Sequence, residues 1–417
     1  MQRLVIDGGR RLSGEIITQG AKNSALPILA AAFLPRGQTV IRNVPRISDT
    51  YSAMRILTSL GCRIRAEGNV VTVDGDGCLS EISEQLMREM RSSVIFLGAV
   101  LGKTGRCVLS YPGGCELGPR PIDMHISALK KMGAVITEEH GRLCCTADNG
   151  LNGVSIALPF PSVGATENIM LAAVCARGET VIKNCAREPE IADLAEFLRS
   201  CGADISGDGG GTIVINGGKP LHGCEYTVMP DRICAATWLS ACAAAGGELY
   251  VKNALHRHLD SVLSVFEEMG CQLSFGNDGI YIRANKRLKA PGTVRTMVYP
   301  GFPTDMQAVV MAAVCKAEGS TVFIENIFEN RFKHVGELRR MGADIIAEGK
   351  VAVVNGVPTL YGANVEASDL RGGAALAVAA LSAEGRTELG GVKYIDRGYE
   401  NIEDVLSAAG ASVRRIG

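Results

Sequence analysis

The sequence repeats itself six times, and that repetition limits the chain to a fold assembled from copies of one unit. LGCRI at Leu60 returns as MGAVI at Met132, CGADI at Cys201, MGCQL at Met269, MGADI at Met341 and AGASV at Ala409. Their glycines, Gly61, Gly133, Gly202, Gly270, Gly342 and Gly410, lie 72, 69, 68, 72 and 68 residues apart. A period this regular signals repeated supersecondary units. Upstream of each marker a second glycine opens a β-branched run, as in RGQTVIRNV, RGETVIKNC and EGSTVFIEN. Before that glycine lies an Ala-rich apolar segment of helical length, such as KNSALPILAAAFL. After the run comes an amphipathic helix, such as ISDTYSAMRILTSL, ending at the repeat glycine as a C-cap. Two short strands follow, so each unit reads strand, helix, strand, helix, strand, strand.

The sixth unit stops at SVRRIG, one strand short, whereas the chain opens with RLVIDGG, which resembles VVTVDG, TIVING and VAVVNG elsewhere. The N-terminal strand is therefore expected to complete the last repeat. At 417 residues the chain suits two domains. Residues 22–229 would hold repeats one to three, and residues 1–21 plus 230–417 repeats four to six. The crossings fall near Gly20 and Pro230. Two crossings suggest a hinge with a ligand bound between the lobes, against the alternative of two rigidly packed lobes.

Composition narrows the function. A net charge of -1 gives no general attraction to nucleic acid or an anionic membrane, so an anion site must be local. One Trp and nineteen other aromatics argue against a base-stacking surface. MQRLVIDGGRRL lacks the apolar core of a signal peptide, and runs such as AALAVAAL are too short to span a bilayer, so a cytoplasmic protein is expected. There the 14 cysteines are reduced thiols, and with no CxxC pair they argue against structural zinc. No metal site and no cofactor are expected.

Counting back 14 or 15 residues from each mid-repeat glycine lands at the start of the first helix of a unit: Lys22, Arg91, Gly164, Arg232, Asp305 and Arg371. Helix N-termini present amides and partial positive charge, so added Lys or Arg makes anion sites. Asp305 is the one acid in this ring of cations, while Asp231 and Asp369 have the position of N-caps. Repeat two is about four residues longer than the others between its two glycines, and the extra length falls in YPGGCELGPRPIDM from Tyr111. Gly113, Gly114 and Gly118 make that stretch a loop, with the thiol of Cys115 and the cation Arg120 on it. A space-filling cysteine in a turn is the plain alternative. Several cations, one carboxylate and one thiol suit an anionic substrate and a proton relay without metal. Arg120 and a nearby helix start should favour thiolate at Cys115, whereas a thiol acting as acid needs its proton; the residues leave both forms open.

Taken together, GAKNSALPIL, the PGGC loop with RPID, SVGAT, AREPEI, FPTDMQA, FENRF, SDLRGG and DRGYE resemble the UDP-N-acetylglucosamine enolpyruvyl transferases across the whole chain. The resemblance implies an α/β fold, the two-domain inside-out α/β barrel, with six repeats of about 70 residues, three per domain. It implies transfer of enolpyruvyl from phosphoenolpyruvate to the 3'-hydroxyl of UDP-N-acetylglucosamine, with phosphoenolpyruvate and the nucleotide sugar as small-molecule partners, no nucleic-acid or membrane partner, and the oligomeric state left open. By the same likeness Asp305 is the base and Cys115 the acid. Lys22, Arg120 and Arg397 clamp phosphoenolpyruvate. Asn23, Arg91, Pro121, Ile122, Asp123, Met124, Ser162, Val163, Gly164 and Ile327 meet the nucleotide sugar, and Asp369 and Arg371 order the site. Phe160 and Pro161 depart from the family pattern, which places a lysine and a small residue there; Phe160 could stack on uracil or pack. The sister class acting on shikimate 3-phosphate shares the barrel but does not use the PGGC thiol. A non-catalytic sugar-nucleotide sensor would need the cations but not Asp305 and Cys115 together.

Overall fold

The computed structural model describes residues 2–110, 122–284 and 287–417, with Arg91 described by its backbone alone. The described residues form two compact units, one within residues 2–19 and 230–417 and the other of residues 20–110 and 122–229.

Six apolar helices form the interior of the two units: α1 (Lys22–Ala31), α2 (Phe96–Thr104), α3 (Val163–Ala173), α4 (Arg232–Ala245), α5 (Thr304–Val314) and α6 (Leu370–Ser382). Their Ala, Leu and Met content favours helix, and residues on every side of them are buried, as an all-round apolar helix requires. In the unit of residues 230–417, α4, α5 and α6 pack pairwise on one another. In the other, α2 packs on both α1 and α3. Small residues permit the closeness: at Gly98 of α2, a Cβ would stand 2.2 Å from the carbonyl oxygen of Asn168 in α3. The amphipathic outer helices, such as Ser48–Ser59, Asp123–Lys131 and Pro189–Ser200, bury one face only.

Each repeat ends its outer helix on a left-handed residue that only glycine adopts without strain. Gly61, Gly133, Gly202, Gly270, Gly342 and Gly410 have φ of 91, 101, 98, 91, 91 and 90°.

Sheets flank the helices. In repeat three, Ser155–Ala157 lies parallel to Gly178–Lys183, which pairs antiparallel with Thr212–Gly217, itself paired with Asp204–Ser206. The expected order of strands and helices is therefore present. Repeat two differs, because its opening strand is reduced to one bridge between Glu81 and Val108. Repeats one and four also differ, by exchanging opening strands. Leu12–Ile17, which leads into α1, pairs with Gly247–Lys252 of repeat four, and Glu225–Thr227, which leads into α4, pairs with Gln38–Arg42 of repeat one. The N-terminal strand Arg3–Asp7 sits between Arg386–Gly390 and Ser412–Ile416, with Leu4 opposite Leu389 on one side and Arg415 on the other.

Candidate active site

In the unit of residues 20–229, Lys22 is the first residue of α1. A cation there opposes the helix dipole, and its side chain is only 10% exposed, so it needs a counter-charge. Asp49, in the first turn of Ser48–Ser59, provides it at 2.6 Å. An incoming anion at this point would meet Lys22 together with the first-turn amides of α1. Asn23 is half-buried beside it. Ser24 donates to Asp193 on the outer helix Pro189–Ser200. Asp193 also accepts from the hydroxyl of Tyr226 at 2.7 Å and the amide of Met229 at 3.2 Å, and burial pushes its carboxyl above the ordinary range.

Ser162 is the N-cap of α3, its hydroxyl accepting from the amide of Ala165 at 3.3 Å, and Val163 and Gly164 form the first turn behind it. Phe160 is exposed, not packed. Ile122 is buried at the start of Asp123–Lys131, Asp123 is exposed and Met124 half-buried. Asp123 lines a shallow groove of about 490 Å³ with Ile126, Ser127, Lys130 and Lys131. His125 behind these residues has a defined tautomer. Asn168 accepts from the amide of Gly98 at 2.6 Å, so its NH₂ donates, to Val94 oxygen at 3.0 Å and to Nδ1 of His125 at 2.8 Å. Nδ1 is thus the acceptor and Nε2 carries the proton, while burial pulls the imidazole pKa down to about 4 and keeps it neutral.

Arg91 does not open a regular α-helix as expected. It begins a 3-10 turn over Arg91–Ile95 between the short helix Glu84–Glu89 and α2. Met90 before it is extended, which breaks the segment there. Cys115, Arg120 and Pro121 lie outside the described residues, as does the side chain of Arg91.

In the other unit, Asp305 is the second residue of α5, and its carboxylate bridges Arg331 at 2.6 Å and Arg371 at 3.3 Å. The arginine side chains are 4% and 6% exposed and that of Asp305 28%, so the acid is the accessible member. Burial works to raise the pKa of Asp305, but Arg371 and Arg331 outweigh it and hold the carboxyl well below the usual range. Asp369 and Asp231 are N-caps. Asp369 accepts from the amides of Arg371 and Gly372 at 3.0 and 3.1 Å, and Asp231 from those of Ile233 and Cys234 at 2.8 and 3.1 Å. Arg232 is buried under Tyr299, 5.6 Å from the ring centre.

Beneath Asp305 lies Glu325, 1% exposed at the end of the strand Ser320–Ile324. It accepts from the hydroxyls of Thr296 at 2.9 Å and Thr304 at 3.0 Å, and from the amides of Ile327 at 2.8 Å and Phe328 at 3.1 Å. One carboxylate thereby sets the start of α5 and the turn that carries Ile327. Arg331 adds bonds to the carbonyl of Thr304 at 3.2 and 3.4 Å. Arg397 is half-buried between two anchored neighbours. Asp396 takes two bonds from Arg415, at 2.9 and 2.8 Å, and Gln19 spans the carbonyl of Gly398 at 3.1 Å and the amide of Glu400 at 2.9 Å.

Sequence reasoning missed Asp49, Glu325, Arg331, Gln19 and Arg415. FENRF contains Arg331, but only its geometry reveals the bond to Asp305; the others carry no motif. Chemically, one unit offers a buried lysine at a helix start, and the other an ionised, partly accessible carboxylate fixed by two arginines. Such groups suit recognition of anions and acceptance of a proton from a hydroxyl. Among the described residues no cluster of three or more His, Cys, Asp or Glu could hold a metal, and no helix is long and apolar enough to cross a membrane.

The chain matches the family model described as EPSP synthase (3-phosphoshikimate 1-carboxyvinyltransferase) over residues 6–406. It is 51% identical over 417 residues to UDP-N-acetylglucosamine 1-carboxyvinyltransferase 2 of Caldanaerobacter subterraneus subsp. tengcongensis, covering 100% of both chains. It is 47% identical to UDP-N-acetylglucosamine 1-carboxyvinyltransferase 1 of Symbiobacterium thermophilum, covering 100% of this chain and 95% of the relative. The crystal structure of the enolpyruvyl transferase NikO from Streptomyces tendae superposes with a TM-score of 0.90 at 27% identity, covering 99% of this chain and 98% of that one. With its six-repeat α/β architecture and its full-length similarity to these proteins, the chain belongs to the UDP-N-acetylglucosamine 1-carboxyvinyltransferase family, within the EPSP synthase group of enolpyruvyl transferases.

Proposed function

We propose that the protein transfers the enolpyruvyl group of phosphoenolpyruvate to the 3'-hydroxyl of UDP-N-acetylglucosamine, releasing phosphate, the first committed step of peptidoglycan synthesis. The observation that carries this reading is the 51% identity, end to end, with a relative of that name. The reaction is an addition followed by an elimination. The hydroxyl oxygen bonds to C2 of phosphoenolpyruvate while C3 gains a proton, giving a tetrahedral ketal. Loss of a proton from C3 and departure of phosphate then restore the double bond. Asp305, ionised and accessible beside Arg331 and Arg371, takes the hydroxyl proton. Cys115 delivers the proton to C3 and also forms a covalent adduct with the pyruvyl group. Lys22, Arg120 and Arg397 meet the phosphate and carboxylate charges. Asn23, Arg91, Pro121 to Met124, Ser162 to Gly164 and Ile327 hold the nucleotide sugar, and Asp369, as N-cap of α6, positions Arg371. The protein would work in the cytoplasm, and its loss would impair cell shape and division.

The test is phosphate release by the purified protein with phosphoenolpyruvate and either UDP-N-acetylglucosamine or shikimate 3-phosphate. Release only with the nucleotide sugar is the expected result, and release only with shikimate 3-phosphate would overturn the assignment. Fosfomycin, an epoxide, should alkylate Cys115 faster with the nucleotide sugar present; labelling confined to other cysteines would remove Cys115 from the reaction.

A further inference from the structure

The described residues include thirteen thiols, and one pair is in direct contact. Cys201, fully buried, caps the C-terminus of the outer helix Pro189–Ser200, and Cys224, half-buried, immediately precedes the strand Glu225–Thr227. Their sulfurs are 3.4 Å apart, and the amide of His222 donates to the carbonyl of Cys201 at 3.0 Å, holding the two segments side by side. Cys107 and Cys145 also face each other, across the ladder of Arg106–Ser110 and Arg142–Thr146, but both are fully buried and closed to a solute.

We propose that Cys201 and Cys224 form a reversible dithiol–disulfide site that is oxidised by a peroxide. Either sulfur can donate in this contact, but of the two Cys224 alone is partly exposed, Cys201 being fully buried. The half-exposed Cys224 is therefore the attacking sulfur and Cys201 the resolving one. The Cys224 thiolate attacks one peroxide oxygen, the O–O bond breaks, and hydroxide leaves, giving a sulfenic acid. The Cys201 sulfur then bonds to the Cys224 sulfur as its S–O bond breaks, and the departing hydroxide takes the Cys201 proton as water. Two thiols give up two electrons to one peroxide, and two waters form. Bond formation brings the sulfurs from 3.4 Å to about 2.05 Å.

The site acts on a strategic junction. The strand after Cys224 ends at Thr227 and leads to Met229, whose carbonyl accepts from the amide of Ala21 at 2.8 Å, directly before Lys22, while Asp193 of the same outer helix holds Ser24, Tyr226 and Met229. A bond between 201 and 224 ties that helix covalently to this strand.

The experiment exposes the full-length protein to graded hydrogen peroxide, blocks remaining thiols by alkylation, and maps the digest by mass spectrometry. Expected is a peptide linking Cys201 to Cys224, about 2 Da lighter than the two reduced peptides, reversed by dithiothreitol and formed at lower peroxide than oxidation of the exposed Cys78. In Cys201→Ala, Cys224 should instead be trapped as a sulfenic acid by a dione probe. Conversion of wild-type Cys224 to sulfinic acid with no bond to Cys201, or a bond only between separate molecules, would overturn the proposal. The wild-type digest decides even where the variant folds poorly.

Discussion

Asp305 illustrates what one residue does when two cations share it. Its carboxyl is held below the ordinary 3.8, so the stabilisation is present at neutral pH and fades as pH falls below about 4, where the unfolded chain takes up protons that the folded one refuses. Asp305→Asn should lower kcat about 10²- to 10⁴-fold, the usual contribution of a positioned proton acceptor. It should also destabilise the protein at pH 7, by an amount that shrinks between pH 5 and pH 2 on urea titration. A stability gap that does not change with pH would mean that the ion pairs leave the titration of Asp305 unperturbed. Glu325 makes a sharper test of positioning, since it touches α5 and the Ile327 turn from below. Glu325→Ala strands four donors and should cost about 3 kcal/mol or more, with kcat/KM falling at least tenfold. Glu325→Gln keeps one acceptor oxygen for Thr296, Ile327 and Phe328 and should restore most of both. Equal damage from the two variants would show that charge, not geometry, is what Glu325 supplies.

Among the elements, the inner helices live by small residues. Gly98→Ala would push a Cβ to 2.2 Å from the carbonyl of Asn168, forcing α2 away from α3 and disturbing the Asn168 that orients His125. A loss of about 1–3 kcal/mol is expected in chemical denaturation. Gly102→Ala, one turn along the same helix, meets its nearest side-chain atom, Cβ of Cys175, at 3.2 Å, and the helix gains about 1 kcal/mol of propensity. The two variants should therefore differ clearly, Gly98→Ala the less stable. Matching midpoints would show that α2 and α3 can separate freely at Gly98.

For the whole molecule, the N-terminal strand is the test of how the repeat closes. Arg3–Asp7 is interior to its sheet, and Leu4, Val5 and Ile6 are at most 3% exposed. Deleting residues 2–7 removes burial of about 1.5–3 kcal/mol for each of the three side chains. At about 2–4 °C per kcal/mol for a unit of this size, calorimetry should show a fall of about 10–30 °C. An unshifted transition would make the strand dispensable to the sixth repeat.

The sequence by itself determined the repeat, the α/β class and the apolar inner helices, because left-handed glycines and all-round apolar segments are local signals that recur with each copy. It also marked Lys22, Asp305 and Arg371 as helix-start residues, by counting from those glycines. Tertiary structure alone decided which groups meet. Lys22 finds Asp49, Asp305 finds Arg331 and Arg371, and Glu325 gathers Thr296 and Thr304, partners 21 to 66 residues apart in sequence. The grouping of residues 1–21 with repeats four to six already put Leu12–Ile17 in that half and Glu225–Thr227 in the other, but the strands they pair with, Gly247–Lys252 and Gln38–Arg42, were invisible, since each strand has the same local pattern whichever edge receives it. Strand pairing and ion pairing are settled by which backbone edges and charges the folded chain brings within bonding distance, and no period in the sequence encodes that distance.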